Sequence, residues 1–231
     1  MILTKPYNDL KEKTDFKSIY NCVMDGKVFI IENVFSSNYC REIQQKLIEY
    51  RAKIKSSNQD RLNSHSSFVR RDVNPVNSNT KHTFDSYCIS TFDVEKDYIY
   101  SCTFKIFEEL KKIYLHITDN NFDFGKNDLE QGFRPQIIHY PVGGGHFDYH
   151  SHPLNPQEIG LILNLSKPGE DYNTGSTVFK IDNQEVDIFK FHRQGYLAIF
   201  KYNLIHKVTE VDPGKIVDFK KGRFSAILPV L

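Results

Sequence analysis

Residues 140–153 read Tyr-Pro-Val-Gly-Gly-Gly-His-Phe-Asp-Tyr-His-Ser-His-Pro, and this stretch is the most informative part of the sequence. It leaves a run of strand-like composition, crosses a triple-glycine turn and then carries three histidines and one aspartate within seven residues. Imidazole and carboxylate groups are the donors that divalent transition metals bind in proteins. The stretch therefore predicts a turn that leads into a strand with a metal site.

The spacing of these side chains limits which of them can share a metal. On a strand, the even-numbered positions His146, Asp148, His150 and His152 would lie on one face. Neighbours at i and i+2 lie about 6 to 7 Å apart and can both reach a metal at about 2.1 Å, whereas i and i+4, about 13 Å apart, cannot. Three pairs are thus possible: His146 with Asp148, Asp148 with His150, or His150 with His152. A third ligand must come from elsewhere, and His206 is the natural candidate.

The sequence around this stretch has the composition of short strands separated by turns. The strand-like runs are Arg134 to Tyr140, Phe147 to His152, Ile159 to Leu165, Thr177 to Ile181, Tyr196 to Tyr202 and Phe224 to Val230. Turn residues separate them at Gly143-Gly144-Gly145, Pro168-Gly169, Asp182-Asn183 and Asp212-Pro213-Gly214. Six strands on this spacing predict a double-sheet roll or barrel.

The first half of the chain predicts helices that back this sheet. A β-branched and aromatic run, 27–33, is followed by Ser36-Ser37 as a helix cap and by apolar residues at helical spacing as far as Ile54. A second amphipathic helix is predicted over Tyr98 to Ile117. We therefore predict an α+β, mainly β, single domain over 1–231. Its catalytic β core spans about 133–231, and 1–132 support it.

The segment from Ser56 to Lys81 is rich in Ser, Asn and Arg, with few apolar residues. This composition is typical of a mobile surface loop. Such a length suits a lid that closes over an anionic substrate through Arg61, Arg70 and Arg71, and it suits an inert insertion equally well.

Composition argues against several classes of function. The chain has 30 Lys plus Arg against 29 Asp plus Glu, a net charge of +1, which gives no field to attract nucleic acid or anionic lipid. The start of the chain turns polar at once, and no apolar stretch approaches the roughly 18 residues of a membrane span, so we expect a cytoplasmic protein. The cysteines are widely spaced without a Cys-x-x-Cys pair, which disfavours a zinc knuckle.

Four short motifs occur in a fixed order in the second half of the chain. They are the stretch from Tyr140 to His152, Gly175-Ser-Thr-Val-Phe179, Gly195-Tyr-Leu-Ala-Ile-Phe200 with the later His206, and Gly222-Arg-Phe-Ser225. Together they resemble the 2-oxoglutarate and Fe(II) dependent oxygenases, the family that includes prolyl hydroxylases and phytanoyl-type enzymes, over roughly Phe133 to Leu231. The resemblance implies a double-stranded β-helix, or jelly-roll, core.

The resemblance also implies a ligand set, with one departure from the family. The register that aligns best makes His150, His152 and His206 the metal ligands, so that His152 stands where the family has a carboxylate. Three neutral imidazoles bring one negative charge less than two histidines and a carboxylate, and iron should be held less tightly. The competing register uses His146 and Asp148, which restores the carboxylate but follows Tyr140 too soon for the family's usual spacing.

The activity implied by the resemblance needs Fe(II), 2-oxoglutarate and O2, with ascorbate as reductant. Arg223 would hold the distal carboxylate of 2-oxoglutarate, and Ser225 and Tyr140 would add hydroxyl groups. The reaction would couple oxidative decarboxylation of 2-oxoglutarate to hydroxylation or related C–H oxidation of a small, polar metabolite. Two alternatives stay open at this point: a three-histidine zinc enzyme of hydrolase type, and a non-catalytic ligand-binding jelly roll.

Overall fold

The computed structural model of the protein describes residues 2–54, 67–74, 80–91, 97–125 and 130–231. Three α-helices lie within these residues: α1 (Lys13–Met24), α2 (Ser37–Lys53) and α3 (Tyr98–Thr118). The same residues form twelve β-strands: β1 (Ile2–Pro6), β2 (Val28–Glu32), β3 (Phe68–Val73), β4 (His82–Cys88), β5 (Gln136–Val142), β6 (Gly145–His150), β7 (Ile159–Asn164), β8 (Thr177–Ile181), β9 (Gln184–Asp187), β10 (Leu197–Lys201), β11 (His206–Val211) and β12 (Asp218–Ile227). Short 3-10 turns occupy Tyr7–Asp9 and Phe189–Phe191.

The strands form one hydrogen-bonded path that doubles back on itself. Its order is β1-β2-β10-β7-β12-β5-β4-β6-β11-β8-β9, with β3 paired to β4 off this path. The doubling occurs at β4, whose second half pairs with β5 while its first two residues, His82 and Thr83, pair with β6. A layer built on β10, β7, β12 and β5 thus faces a layer built on β6, β11, β8 and β9. This arrangement is a double-stranded β-helix, and the predicted fold class is confirmed.

The helices cover the outer face of the first layer, as predicted. Side chains alternate along β10: Leu197 and Ile199 join the core beneath the helices, while Ala198 and Phe200 point into the space between the layers. The predicted caps are present at α2, where Ser36 Oγ accepts a hydrogen bond from the amide of Tyr39. With one face of this layer covered by helices, the space between the two layers is the place left for a ligand.

The predicted loop from Ser56 to Lys81 is in part a strand. Its described residues 68–73 form β3, which pairs antiparallel with β4 so that Arg70 lies opposite Ser86. Phe68 and Val69 are buried there, which a mobile loop would not provide. The loop prediction is therefore wrong for this part. Residues 56–66, which include Arg61, and residues 75–79 lie outside the described residues. Of the three arginines of the predicted lid, Arg70 and Arg71 lie in β3, and the rest of the lid prediction is not tested.

No helix among the described residues combines the length and the apolar character needed to cross a membrane.

Candidate metal centre

Three histidines from two strands meet between the layers of the sheet. His150, the last residue of β6, lies directly opposite His206, the first residue of β11, and His152 follows two residues beyond the end of β6. One ring nitrogen from each histidine lies within 4.8 Å of the other two. The rings of His150 and His206 have centroids 4.3 Å apart, and that of His152 lies 5.0 Å and 5.5 Å from them. This spacing suits three ligands around one metal ion.

Backbone contacts determine which nitrogen of two of these rings is free. Nδ1 of His150 lies 2.8 Å from the carbonyl oxygen of Asp148, and Nδ1 of His206 lies 2.8 Å from that of Leu204. A carbonyl can only accept, so Nδ1 carries the proton in both rings and Nε2 keeps its lone pair. Aromatic rings limit their rotation: His150 stacks on Phe147 with centroids 3.8 Å apart. Both imidazoles are therefore held in an orientation in which Nε2 could bind a metal ion.

The site keeps its histidines uncharged. Burial lowers the pKa of His206 to about 3, and the nearby His150 adds to the effect. Burial likewise lowers the pKa of His152 to about 4, again with His150 contributing, and lowers the pKa of His150 itself. All three imidazoles are neutral at pH 7, which is the form that binds a metal.

A β-bulge separates the two candidate ligand pairs. His206 pairs with His150, but Val208 pairs with Phe147, so Asp148 and Tyr149 together stand opposite one residue of β11. The extra residue reverses the alternation, and Phe147 and His150 both face the interior. His146 and Asp148 instead line a separate surface groove. The prediction that all four even-numbered side chains share a face is wrong for this reason.

The three histidines line a cavity of about 300 Å³ between the layers. Its other walls come from β3, β4, β5, β7, β10 and β12 and are mostly apolar, with Ile138, Ile162, Phe200 and Ile227 among them. Arg223 and Ser225 on β12 line the same cavity, as does Tyr140 on the neighbouring β5. No Asp or Glu is among the described residues that line it.

Arg223 is a buried cation without a carboxylate partner among the described residues. Its side chain is 1% exposed, and its Nη2 donates to Thr177 Oγ1 at 2.6 Å. Its Nε and Nη1 atoms, and the buried Ser225 Oγ, have no hydrogen-bond partner in this part of the structure. Burial lowers the pKa of the guanidinium, and Tyr172, Tyr140 and Asp187 offset only part of this effect. An unpaired buried charge is costly, and an anionic ligand would satisfy it.

The backbone before Arg223 requires glycine. Gly222 adopts φ +131°, and a Cβ on it would lie 2.2 Å from the carbonyl oxygen of Tyr140. Glycine thus lets β12 approach β5 where Arg223 and Tyr140 pair across the two strands. The guanidinium carbon lies 5.8 Å from the centroid of the Tyr140 ring, and burial raises the pKa of this tyrosine to about 12, so its hydroxyl stays protonated as a donor.

The sequence did not assign roles to several residues that the structure brings to the site. Thr177 orients Arg223, and the ring of Tyr202 stacks on His152 with centroids 4.6 Å apart. His192 lies behind Thr177 and contacts the hydroxyl of the buried Tyr172. Thr177 lies in the Gly175 to Phe179 motif, so the sequence contains a signal that points to it. The position of Tyr202 in the sequence gives no indication that it contacts His152.

Comparison with known proteins supports the fold. No protein-family model matches the chain, and no curated protein sequence matches it either. A Pseudomonas putida prolyl-4-hydroxylase is similar in structure with a TM-score of 0.59 and 11% identity, over 92% of this chain and 96% of that one. A Trichoplax adhaerens prolyl hydroxylase in complex with a peptide of hypoxia inducible factor has a TM-score of 0.57 and 15% identity, over 94% and 91%.

A third similar structure is the dioxygenase for auxin oxidation from Arabidopsis thaliana in its complex with 2-oxoglutarate, with a TM-score of 0.56 and 14% identity over 99% and 91% of the two chains. These chains match nearly the whole of this protein, and 2-oxoglutarate and Fe(II) oxygenases recur among them. The resemblance seen in the sequence is therefore confirmed at the level of the fold.

Proposed function

We propose that this protein is an Fe(II) oxygenase that couples the oxidative decarboxylation of 2-oxoglutarate to hydroxylation, or related C–H oxidation, of a small metabolite. The observation that carries the proposal is the unpaired Arg223 guanidinium, which lies in the same cavity as the three-histidine cluster. A metal site alone would not need a buried cation. A metal site together with a dicarboxylate cosubstrate accounts for both features.

The residues present fit an iron ion. His150, His152 and His206 would hold it through neutral imidazole nitrogens, a donor type that suits Fe(II) and Zn(II) alike. Three protein ligands leave positions open for a cosubstrate and O2. When bound, iron with 2-oxoglutarate supplies the C–H oxidation, in which one oxygen atom of O2 enters the substrate and the other enters succinate as CO2 leaves.

The chain's own residues would bind and orient the cosubstrate. Nε and Nη1 of Arg223 have no partner among the described residues and could donate to the distal carboxylate, and Ser225 offers a hydroxyl beside them. Thr177 holds the guanidinium in place through the Nη2 contact. The apolar walls around them limit water in the cavity, which strengthens these charge-assisted hydrogen bonds.

The three-histidine cluster also fits a catalytic zinc site of hydrolase type, because three histidines with one open position describe such a site. The Arg223 and Ser225 donors have no evident use in that enzyme. Cosubstrate binding therefore separates the two functions.

The test is spectroscopic. Purified protein is mixed with Fe(II), 2-oxoglutarate and ascorbate without oxygen, and the weak visible metal-to-ligand charge-transfer band is recorded. We expect the band in the wild type, its loss in His152→Ala and its weakening in Arg223→Ala. Asp148→Ala is the matched control, because this exposed carboxylate lies outside the cavity. No band in the wild type would contradict the proposal, and loss of the band in Asp148→Ala would contradict the ligand assignment.

A further inference from the structure

We propose that the substrate of this site carries a carboxylate and that Arg70 binds it. This inference rests on the proposed function and extends it, since the resemblance to oxygenases leaves the substrate open. It follows from the position of Arg70 in the sheet, from the hydrogen-bonding state of its guanidinium and from the charge of the cavity wall. Strand register fixes the position of Arg70 in the sheet.

Arg70 lies in the row of the sheet that contains Ser225. The register places Arg70 opposite Ser86, Ser86 opposite Ile138, and Ile138 opposite Ser225, across β3, β4, β5 and β12. Residues directly opposite one another point to the same face of a sheet. Arg70 therefore points to the interior, and it lines the cavity together with the histidines.

The adjacent Arg71 points to the opposite face of the sheet and forms an ion pair there. Arg71 donates to the fully buried Asp85 at 3.1 Å, and its guanidinium carbon lies 5.0 Å from the ring centroid of Phe219. Arg51 donates to the second oxygen of the same carboxylate at 2.9 Å. Arg71 thus takes part in a structural ion-pair network with Asp85 and Arg51. Of the two neighbouring arginines, Arg70 alone faces the cavity.

One carboxylate holds the Arg70 guanidinium but uses only part of it. Its Nε donates to Asp72 two residues along the same strand, at 2.9 Å. Its two Nη atoms make no hydrogen bond to any residue in the described part of the chain. Asp72 therefore orients the side chain and leaves the terminal edge of the guanidinium available. Two parallel N–H groups on that edge match the two oxygens of a carboxylate.

The two arginines of the cavity would serve different anions. Arg223 is turned towards Thr177 on β8, in the opposite layer, while Arg70 is held to its own strand. Three strand spacings separate β3 from β12, about 14 Å along the sheet. Among the described residues, no Asp or Glu lines the cavity, and the Asp72 carboxylate contacts only Nε of Arg70. One dicarboxylate bound at Arg223 would leave the Nη edge of Arg70 unoccupied.

The wall between Arg70 and the histidines shapes the rest of the substrate. Phe84, Ile138, Phe147 and Ile227 line this part of the cavity, and all are apolar. A ligand anchored at Arg70 would therefore place an apolar body between its carboxylate and the carbon nearest the metal. The substrate class is a small carboxylic acid with an apolar middle, such as an aryl- or alkyl-carboxylate.

The inference is tested with matched carboxylate and amide pairs on the anaerobic complex with Fe(II) and 2-oxoglutarate. The probes are phenylacetate with phenylacetamide, 4-phenylbutyrate with its amide, and octanoate with octanamide. Binding is followed by the change in the charge-transfer band and by calorimetry. In the wild type we expect at least one carboxylate to bind tenfold or more tightly than its amide. Arg70→Met should abolish this preference, and Arg70→Lys should retain part of it.

Arg193→Gln is the matched control, because it removes the same charge from an exposed residue outside the cavity wall. Circular dichroism verifies that every variant is folded. Equal binding of carboxylates and amides, no binding of any carboxylate, or a preference that survives Arg70→Met would each overturn the inference. The band itself reports on the proposed function separately: a wild-type protein that forms the band without any carboxylate preference refutes the Arg70 assignment alone.

Discussion

Replacing Arg223 by methionine should stabilise the protein without ligands and at the same time remove its affinity for 2-oxoglutarate. Methionine fills similar space without a charge. Arg223 is 1% exposed, and its Nε and Nη1 have no hydrogen-bond partner among the described residues. Leaving a buried polar group unsatisfied costs about 1 to 3 kcal/mol, although water in the cavity offsets part of this. We therefore expect Arg223→Met to raise the free energy of unfolding by about 1 kcal/mol, which for a chain of this length is about 2 to 4 °C in Tm.

The effect on the cosubstrate has the opposite sign. Removing one partner of a buried, hydrogen-bonded charge pair costs about 2 to 5 kcal/mol of binding free energy. This corresponds to a loss of affinity of roughly 30-fold to roughly 4,000-fold. The wild type at 2-oxoglutarate concentrations of about 100 times Kd should gain about 2.7 kcal/mol of stability from binding, and the variant should gain at most about 0.9 kcal/mol. The order of the two Tm values therefore reverses when 2-oxoglutarate and metal are added.

Differential scanning calorimetry of the two proteins, with and without Fe(II) and 2-oxoglutarate under anaerobic conditions, measures both effects in one experiment. Arg193→Gln serves as control for the loss of an arginine and should follow the wild type in both conditions. A variant at Arg223 that is less stable than the wild type without ligands, yet is still stabilised by 2-oxoglutarate, would show that the guanidinium has a structural partner and refute the reasoning.

Three further outcomes are expected from the same site and its surroundings. His152→Asp adds a negative charge to a neutral ligand set and should tighten Fe(II) binding by about tenfold or more, which a metal-competition titration measures. Thr177→Val removes the contact that orients Arg223, so the KM for 2-oxoglutarate should rise about 5- to 30-fold while kcat changes little and Thr177→Ser restores it. Burial lowers the pKa of His139 to about 4, below the 6.5 of the unfolded chain, so the unfolded state binds the proton first as pH falls. The stability that neutral His139 contributes is fully present above pH 6.5 and is lost as the pH falls towards 4, with about 2 kcal/mol lost by pH 5. Urea titrations at pH 7 and pH 5 should therefore show a smaller loss of unfolding free energy in His139→Gln than in the wild type.

The helices and turns could be predicted from local sequence, because each of them is indicated by a strong local signal such as a helix cap or a pair of turn residues. The helix after Ser36 follows from a cap and an apolar period, and its structure matches. The turn at Asp182-Asn183 follows from turn chemistry, and both residues have positive φ. Strand β3 could not be predicted, because its sequence, Phe-Val-Arg-Arg-Asp-Val, looks like a polar loop until its partner β4 is known. Pairing between distant segments is the information that local patterns lack.

The bulge in β6 shows the same limit at the site. Strict alternation put His146 and Asp148 on the face of His150, and nothing in the sequence marks the extra residue that reverses the order. Only the register against β11 reveals it, since two residues of β6 stand opposite one. The family spacing and the geometry agree in grouping His150 with His152, and the geometry gives a physical reason why the other pair lies elsewhere.

The charges around the cavity imply that metal and cosubstrate binding are strongly coupled. Of the two guanidiniums at the described wall, Arg70 is paired with Asp72 and Arg223 has no carboxylate partner, and the three histidines are neutral. A divalent cation would therefore enter a site that is already positive. Under the proposed function a 2-oxoglutarate dianion would pair with Arg223 at one end and offset the metal charge at the other, and each ligand should therefore raise the affinity for the other by the same factor. In a site with a carboxylate at position 152 the metal would depend less on the cosubstrate. Fe(II) affinity measured with and without 2-oxoglutarate should thus differ more in the wild type than in His152→Asp, and equal ratios in the two proteins would show that the missing carboxylate does not govern the coupling.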